Sequence, residues 1–345
     1  MDDSIDSPLC SRMKNLEQFY TTVLSMSFSD DGKYLIAGLK SGKLAIFMIE
    51  KLSKFNDEPS IHDQLPPKPI NIIQAHDDAI YSLITIDDLI LSAGDGDIKA
   101  WRIQNLIESE RPKPDWIKTI FPRNSLSDPE INSIIYTGKN TQMIAAGCGD
   151  KKIYCYDLES SLPKMVLTGH EDYINCLSFS PSSNLIFSGS EDGSVRLWDL
   201  RNGKEVQRIE PFKIQELNRP HGKWIGSVAL DTNSDWMVCG GGPHLTSWHV
   251  RSLSKGQIYR SSVDSTSNQA IIHENLIISG GNTRYVSVFE MNGDLKIEIP
   301  CKPFAIFGLA LNVNDRGSQL AVGGCSNRID VCTNFKYKDF TLEIS

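Results

Sequence analysis

The sequence predicts an all-β protein, a seven-bladed β-propeller preceded by a short N-terminal extension. Three observations carry this. A strand–turn–strand text ending in an aromatic residue recurs along the chain, a histidine stands at a near-constant distance before several copies, and a further short β run separates successive copies. Residues 91–101 (LSAGDGDIKAW) and 187–198 (FSGSEDGSVRLW) show the text most clearly, with Asp95 and Asp192 each six residues before Trp101 and Trp198. AAGCGDKKIYCYD repeats it from Asp150 to Tyr156. His76 lies 25 residues before Trp101, His170 lies 28 before Trp198, and His221 lies 27 before Trp248, where the turn CGGGP has lost its Asp. YLIAGLKSGKLAIF, LIISGGNTRYVSVF and QLAVGGCSNRIDVC complete the set. From Phe47 to Val331 the six intervals average about 47 residues, near the roughly 40–45 of a propeller blade. Fourth strands are read at residues 69–74, 116–121, 164–168 and 204–209.

The propeller is placed over residues 21–345 and the extension over residues 1–20, where Leu16, Phe19, Tyr20 and Val23 have the spacing of a short helix. Residues 53–68 and 108–115 are rich in Pro and charge and fall between the third and fourth strands of their copies, as surface insertions. Residues 339–344 are suited to be the fourth strand of the last copy. Whether the ring instead closes with an N-terminal strand stays open.

Composition narrows the function classes. Hydrophobic residues are 40% and charged residues 23% of 345, as in ordinary globular chains. No run approaches the roughly 18 apolar residues of a membrane helix, and the opening MDDSID is acidic where a secretory signal is basic, so an intracellular, non-membrane protein is expected. Net charge is −8, which disfavours a protein that works by neutralising phosphates. Eight cysteines without a C-x-x-C pair read as free thiols.

No catalytic residue, metal site or cofactor is assigned. His76, His170 and His221 recur once per blade and read as core histidines, and Asp95, Asp150 and Asp192 as turn residues. Gly240–Gly242 precede a β run, whereas a phosphate loop opens a helix. His244 and His249, five apart beside a strand, point to opposite faces. An enzyme is not expected; a binding platform is. Just beyond the histidines the chain enters the innermost strands at the channel rim, where Tyr81, Tyr173 and Trp224 would make a docking surface.

Gly169-His170 to Trp198-Asp199 spells the full signature of the WD-repeat family, which the chain resembles. The resemblance implies structural tetrads of His170, Ser188, Asp192 and Trp198, and of His76, Ser92, Asp95 and Trp101. In each, the carboxylate fixes the imidazole, the imidazole meets the hydroxyl and the hydroxyl meets the indole N–H, each bond contributing about 1 kcal/mol.

Residues 75–101, 169–207 and 219–252 resemble more particularly the sixth-subunit family of the THO complex, and RPHGKWIG with the later DW and triple glycine is the most distinctive text. That resemblance implies a noncatalytic nuclear scaffold in the THO/TREX assembly. It would hold other, coiled-coil THO subunits in a multi-subunit complex, in support of messenger RNA processing and export, with mostly indirect RNA contact. On that reading Arg219 and Trp224 belong to a partner-binding loop, and His221 is needed for folding. The rival is a substrate receptor of a cullin-type ubiquitin ligase, because Trp198-Asp199-Leu200-Arg201 matches a W-D-x-R adaptor motif in which Arg201 is the contact.

Overall fold

The computed structural model describes residues 21–50, 66–120, 129–314 and 317–344. The extension over residues 1–20 and most of the 53–68 insertion therefore lie outside the described residues. Seven four-stranded antiparallel sheets follow one another along the chain, over residues 23–74, 82–119, 131–168, 174–209, 225–259, 269–300 and 306–343. In each, neighbouring strands are consecutive in sequence. The first strands of all seven line a polar central cavity of about 200 Å³, so the sheets radiate as blades of a propeller.

The strands form where short β-branched runs are cut by turn residues. In blade four, Leu185–Ser190 (LIFSGS) and Val195–Asp199 (VRLWD) flank a turn whose Gly193 has φ +87°, a conformation L side chains rarely adopt. Every blade presents two apolar faces, and each pair of neighbours closes a core between them. Trp101 fills the wedge between blades one and two, Trp198 that between three and four, and Trp248 that between four and five. The wedge between blades five and six is the thinnest, built on Val238, Leu245, Tyr259, Ala270, Ile277 and Phe289.

Around the channel, side chains of one inner strand reach the backbone of the next. Ser25 Oγ donates to Ile80 O (3.0 Å), Asn132 Nδ2 to Ile174 O (3.0 Å), Asn175 Nδ2 to Ile225 O (3.1 Å) and Asn268 Nδ2 to Ile306 O (3.0 Å). A register shift between Ile174 and Cys176 marks a bulge at Asn175, as between Val23 and Ser25, Ile225 and Ser227, and Ile306 and Gly308. Such bulges re-aim a side chain, here toward the neighbouring blade.

The ring closes without a shared strand. Tyr337–Glu343 is the outer strand of blade seven, so the last blade is completed by its own chain. Blade seven meets blade one through a Thr22–Cys325 β-bridge, an Asn312 Nδ2 to Gly32 O hydrogen bond and a core joining Val23, Met26 and Phe28 to Ile329, Val331 and Leu342.

One expectation needs correction. Val23 opens the first strand, fully buried, because its side chain fills the seam with blade seven; it is not part of a helix. A helix does occur at Ile103–Glu108, in the connection leading to the 108–115 insertion of blade two. Buried Leu106 anchors it, and Asn71 Nδ2 donates to Leu106 O and Ser109 O at its C-terminal end.

Candidate functional site

Two kinds of residue were singled out in the sequence: those that hold blades together and those offered to partners. Blade four joins the first kind into one network. His170 precedes the inner strand, Ser188 stands on the second and Trp198 on the third. His170 Nδ1 lies 2.7 Å from Asp192 Oδ2, His170 Nε2 lies 2.7 Å from Ser188 Oγ, and Trp198 Nε1 donates to Ser188 Oγ at 2.8 Å. Burial alone would raise the Asp192 carboxyl, but bonds from His170, Ser194 and the Glu171 backbone N–H outweigh it and hold the group well below the ordinary range. Residues that the repeat text did not mark enclose this network. Ser194 Oγ donates to Asp192 Oδ1 at 2.6 Å, and buried Arg196 reaches Ser194 at 3.2 Å and Glu205 at 2.7 Å. A Cβ on Gly169 would stand 2.8 Å from Arg196 Nη1, which explains a glycine before the histidine.

Blade two keeps His76 Nε2 at 2.8 Å from Ser92 Oγ and Trp101 Nε1 donating to Ser92 at 2.9 Å. Its turn is one residue shorter than that of blade four. The charges of Asp97 and Asp77 favour the imidazolium. Asp95, the residue chosen by spacing, forms a backbone β-bridge with Glu130 of the next blade. Burial, helped by Lys99, pushes the His76 imidazole down to about 4. In blade three Asp150 accepts from Tyr154 Oη at 2.6 Å.

Blade five departs from the expectation. His221 is 28% exposed in its side chain, and its Nε2 pairs with Asp264 Oδ2 at 3.0 Å on the loop to blade six. The matching hydroxyl position holds Cys239, and the Trp248 indole N–H finds no oxygen acceptor. The reason is the triple glycine: a Cβ on Gly242 would stand 2.2 Å from Gly222 O, so the loop of His221 is pulled tight over the blade. Arg219 locks that loop. Its guanidinium donates to Gly241 O, Gly242 O, Ser265 O and Asp264 Oδ1, and only 8% of the side chain is exposed. The guanidinium is spent inside the protein, so Arg219 holds the loop and does not face a partner.

The rim residues fall on one face. Tyr173 and Trp224 each precede an inner strand by one residue. Tyr173 is 48% exposed, with Gly149 against its ring. Trp224 is half-buried: its indole N–H donates to His221 O at 2.9 Å and its ring covers Gly226. Tyr81 stands two positions further along, because Leu83 pairs with Ser92 as Leu177 pairs with Ser188. It therefore lines the channel beside Asn132 and Asn175. Phe304, which the repeat text did not mark, precedes the inner strand of blade seven by two residues, is 48% exposed and carries the Arg284 guanidinium 4.0 Å above its ring. Its position just before an inner strand was the available signal. Arg201 lies elsewhere, 70% exposed and paired with Asp199, whose Oδ2 is 2.8 Å from Nη2 and whose Oδ1 is 2.9 Å from Nε.

Among the described residues no group of three or more His, Cys, Asp or Glu side chains is placed to hold a metal ion, and no helix is long and apolar enough to cross a membrane. Cys155 and Cys239 are buried, and burial pushes each thiol up to about 12.

Comparison with known proteins follows the same lines. The family model "WD domain, G-beta repeat" matches residues 161–199, which contain the complete network of blade four. The chain is 41% identical over 332 residues to the THO complex subunit 6 homolog of Danio rerio, covering 96% of this chain and 99% of that protein. It is 40% identical over 332 residues to THO complex subunit 6 of Homo sapiens, covering 95% and 94%. The Drosophila melanogaster THO complex subunit 6 is 29% identical over 335 residues, covering 96% and 92%. With a complete blade-four signature, seven blades and similarity along nearly the whole chain, the protein belongs to the THO complex subunit 6 family.

Proposed function

We propose that this propeller is a noncatalytic scaffold subunit of a nuclear THO/TREX assembly, holding coiled-coil partner subunits and supporting the coupling of transcription and messenger RNA processing to export. The observation that carries the proposal is near-full-length similarity to proteins named as THO complex subunit 6. The geometry is consistent with a platform: the recurrent His side chains are engaged in holding blades and loops, while Tyr173 and Phe304 stand exposed on one face. Tyr173, Phe304 and the outer part of Trp224 are the anchors on that face. RNA contact is indirect, because 35 basic residues stand against 43 acidic ones.

The test compares Tyr173→Ala and Trp224→Ala with Arg201→Ala, each checked for melting and then for co-purification from nuclear extract. Truncating a buried interface anchor loses about 2 kcal/mol or more, roughly thirtyfold in affinity. Loss of THO subunits with the rim variants alone supports the scaffold. Retention of THO subunits by both rim variants, with loss of a ligase adaptor on Arg201→Ala, would replace it with the ubiquitin-ligase receptor.

A further inference from the structure

The face opposite the aromatic rim carries a groove between blades one and two, with a cavity of about 340 Å³. Its floor is apolar: Tyr34 on one side, Ile103 and Ile107 on the other, all half-buried. Its rim is acidic, with Asp30 on the first hairpin turn of blade one and Asp87 and Asp88 on that of blade two, all exposed. Asp31 completes the rim: burial is the largest single effect and raises its carboxyl, but the hydrogen bonds from Ser29 and Lys33 and the Lys33 charge together hold it below the ordinary range.

The wall is built in advance. The helix Ile103–Glu108 is tied at its start by Ile103 N to Asp88 O (3.0 Å) and at its end by Asn71 of the neighbouring blade. Ile103 and Ile107 are four residues apart and so form a ridge along one side of that helix. A ridge of this spacing accepts the groove of a second helix.

Charge selects the kind of helix. The cations paired with this rim are exposed: Lys33 lies 3.1 Å from Asp31 with both side chains about half exposed, Lys139 lies 3.6 Å from Asp87 with both side chains more than two-thirds exposed, and Arg102 lies 3.5 Å from Asp88 but 2.6 Å from Asp115. Exposed pairs of this kind are weak and are readily displaced by a better-placed cation. We propose that this groove receives a basic amphipathic helix of a protein partner, its apolar stripe on Tyr34, Ile103 and Ile107 and its Lys or Arg side chains against the four aspartates. This site lies across the ring from the aromatic rim, so a partner here leaves the rim free. The mode is a helix laid in a groove by anchors at i and i+4.

The probe is a fluorescein-labelled 15-residue synthetic helix with Leu at i, i+3, i+4 and i+7 and Lys at the polar positions, and its counterpart with Glu for Lys. Anisotropy titrations use the full chain at low and physiological salt. Three variants are compared after their melting curves are matched to the parent: Asp30→Asn/Asp87→Asn/Asp88→Asn in the groove, Asp77→Asn/Asp78→Asn/Glu171→Gln on the opposite face, and Ile107→Gln. Asn suits position 87, whose φ is +51°. The Lys helix should bind and the Glu helix should not. The groove triple should weaken binding roughly tenfold, the opposite-face triple less than about twofold, and Ile107→Gln several-fold. Equal loss in the two triples would show attraction to net charge alone and overturn the proposal. So would unchanged binding in Ile107→Gln, or no binding of the Lys helix at low salt.

Discussion

Replacing Trp198 and Trp248 each by Phe isolates what a tetrad hydrogen bond contributes. Both indoles are buried, 2% and 4% exposed, so the packing lost on trimming to Phe is similar. Their N–H groups differ. That of Trp198 donates to Ser188 Oγ at 2.8 Å, a bond contributing about 1 kcal/mol. That of Trp248 has no oxygen acceptor and meets only the Cys239 thiol, a weaker acceptor than a hydroxyl. Trp198→Phe should therefore destabilise by about 1 kcal/mol more than Trp248→Phe. The assay is guanidinium unfolding followed by far-ultraviolet circular dichroism, with unchanged denaturant slope as the condition for comparing midpoints. A double-mutant cycle of Trp198→Phe with Ser188→Ala should give a coupling of about 1 kcal/mol, and Trp248→Phe with Cys239→Ala a smaller one. Equal losses at the two tryptophans, or a larger loss at Trp248, would refute the reasoning.

Three further outcomes are expected. His76 resists protonation down to about 4 when folded and titrates near 6.5 when unfolded, so the unfolded chain binds the extra proton between those values. Stability should fall by about 3 kcal/mol as pH drops from 6.5 to 4, and His76→Asn should flatten that slope in urea unfolding measured across the range. Gly281→Ala would place a Cβ 1.6 Å from Thr266 O, on backbone that cannot yield, and should lose about 3 kcal/mol or more, read as a lowered melting temperature or insoluble protein. The purified chain should bind single-stranded RNA only at low salt, and submicromolar binding at physiological salt in a filter or anisotropy assay would contradict the indirect role.

The architecture was legible because each blade repeats one strand–turn–strand text, and four runs per copy fix the number of sheets. The blade-four network was legible for the same reason, since Gly169, His170, Asp192 and Trp198 all stand at repeat positions. The one-residue contraction of the blade-two turn was not legible, because the spacing from Asp95 to Trp101 equals that from Asp192 to Trp198. His221 and Arg219 were misread because their roles depend on Asp264, more than 40 residues away on the loop to the next blade. No local pattern announces such a pairing. The helix Ile103–Glu108 is too short for its period to stand out, although Ile103, Leu106 and Ile107 have helical spacing. Exposure of Tyr173 against partial burial of Trp224 follows from what lies beneath each ring, Gly149 of the preceding blade in one case and Gly226 of the same strand in the other.

Ring closure without an exchanged strand sets the order in which the molecule can assemble. Six of the seven blade interfaces join units adjacent in sequence, so each can form once two neighbouring hairpin pairs exist, in the manner of a repeat array that grows from any point. The seventh brings Thr22 to Cys325, a span of 303 residues counted from their numbers. Closing a flexible loop of that length costs roughly 5 kcal/mol in chain entropy. Contacts within a partly built arc lower that cost only after most blades have stacked. The seam between blades seven and one is thus the costliest to close first, and it links its two sides by packing, one β-bridge and scattered hydrogen bonds instead of a continuous ladder. Closing it covers the two apolar faces, one at each end of the arc, that the six sequence-adjacent interfaces leave uncovered.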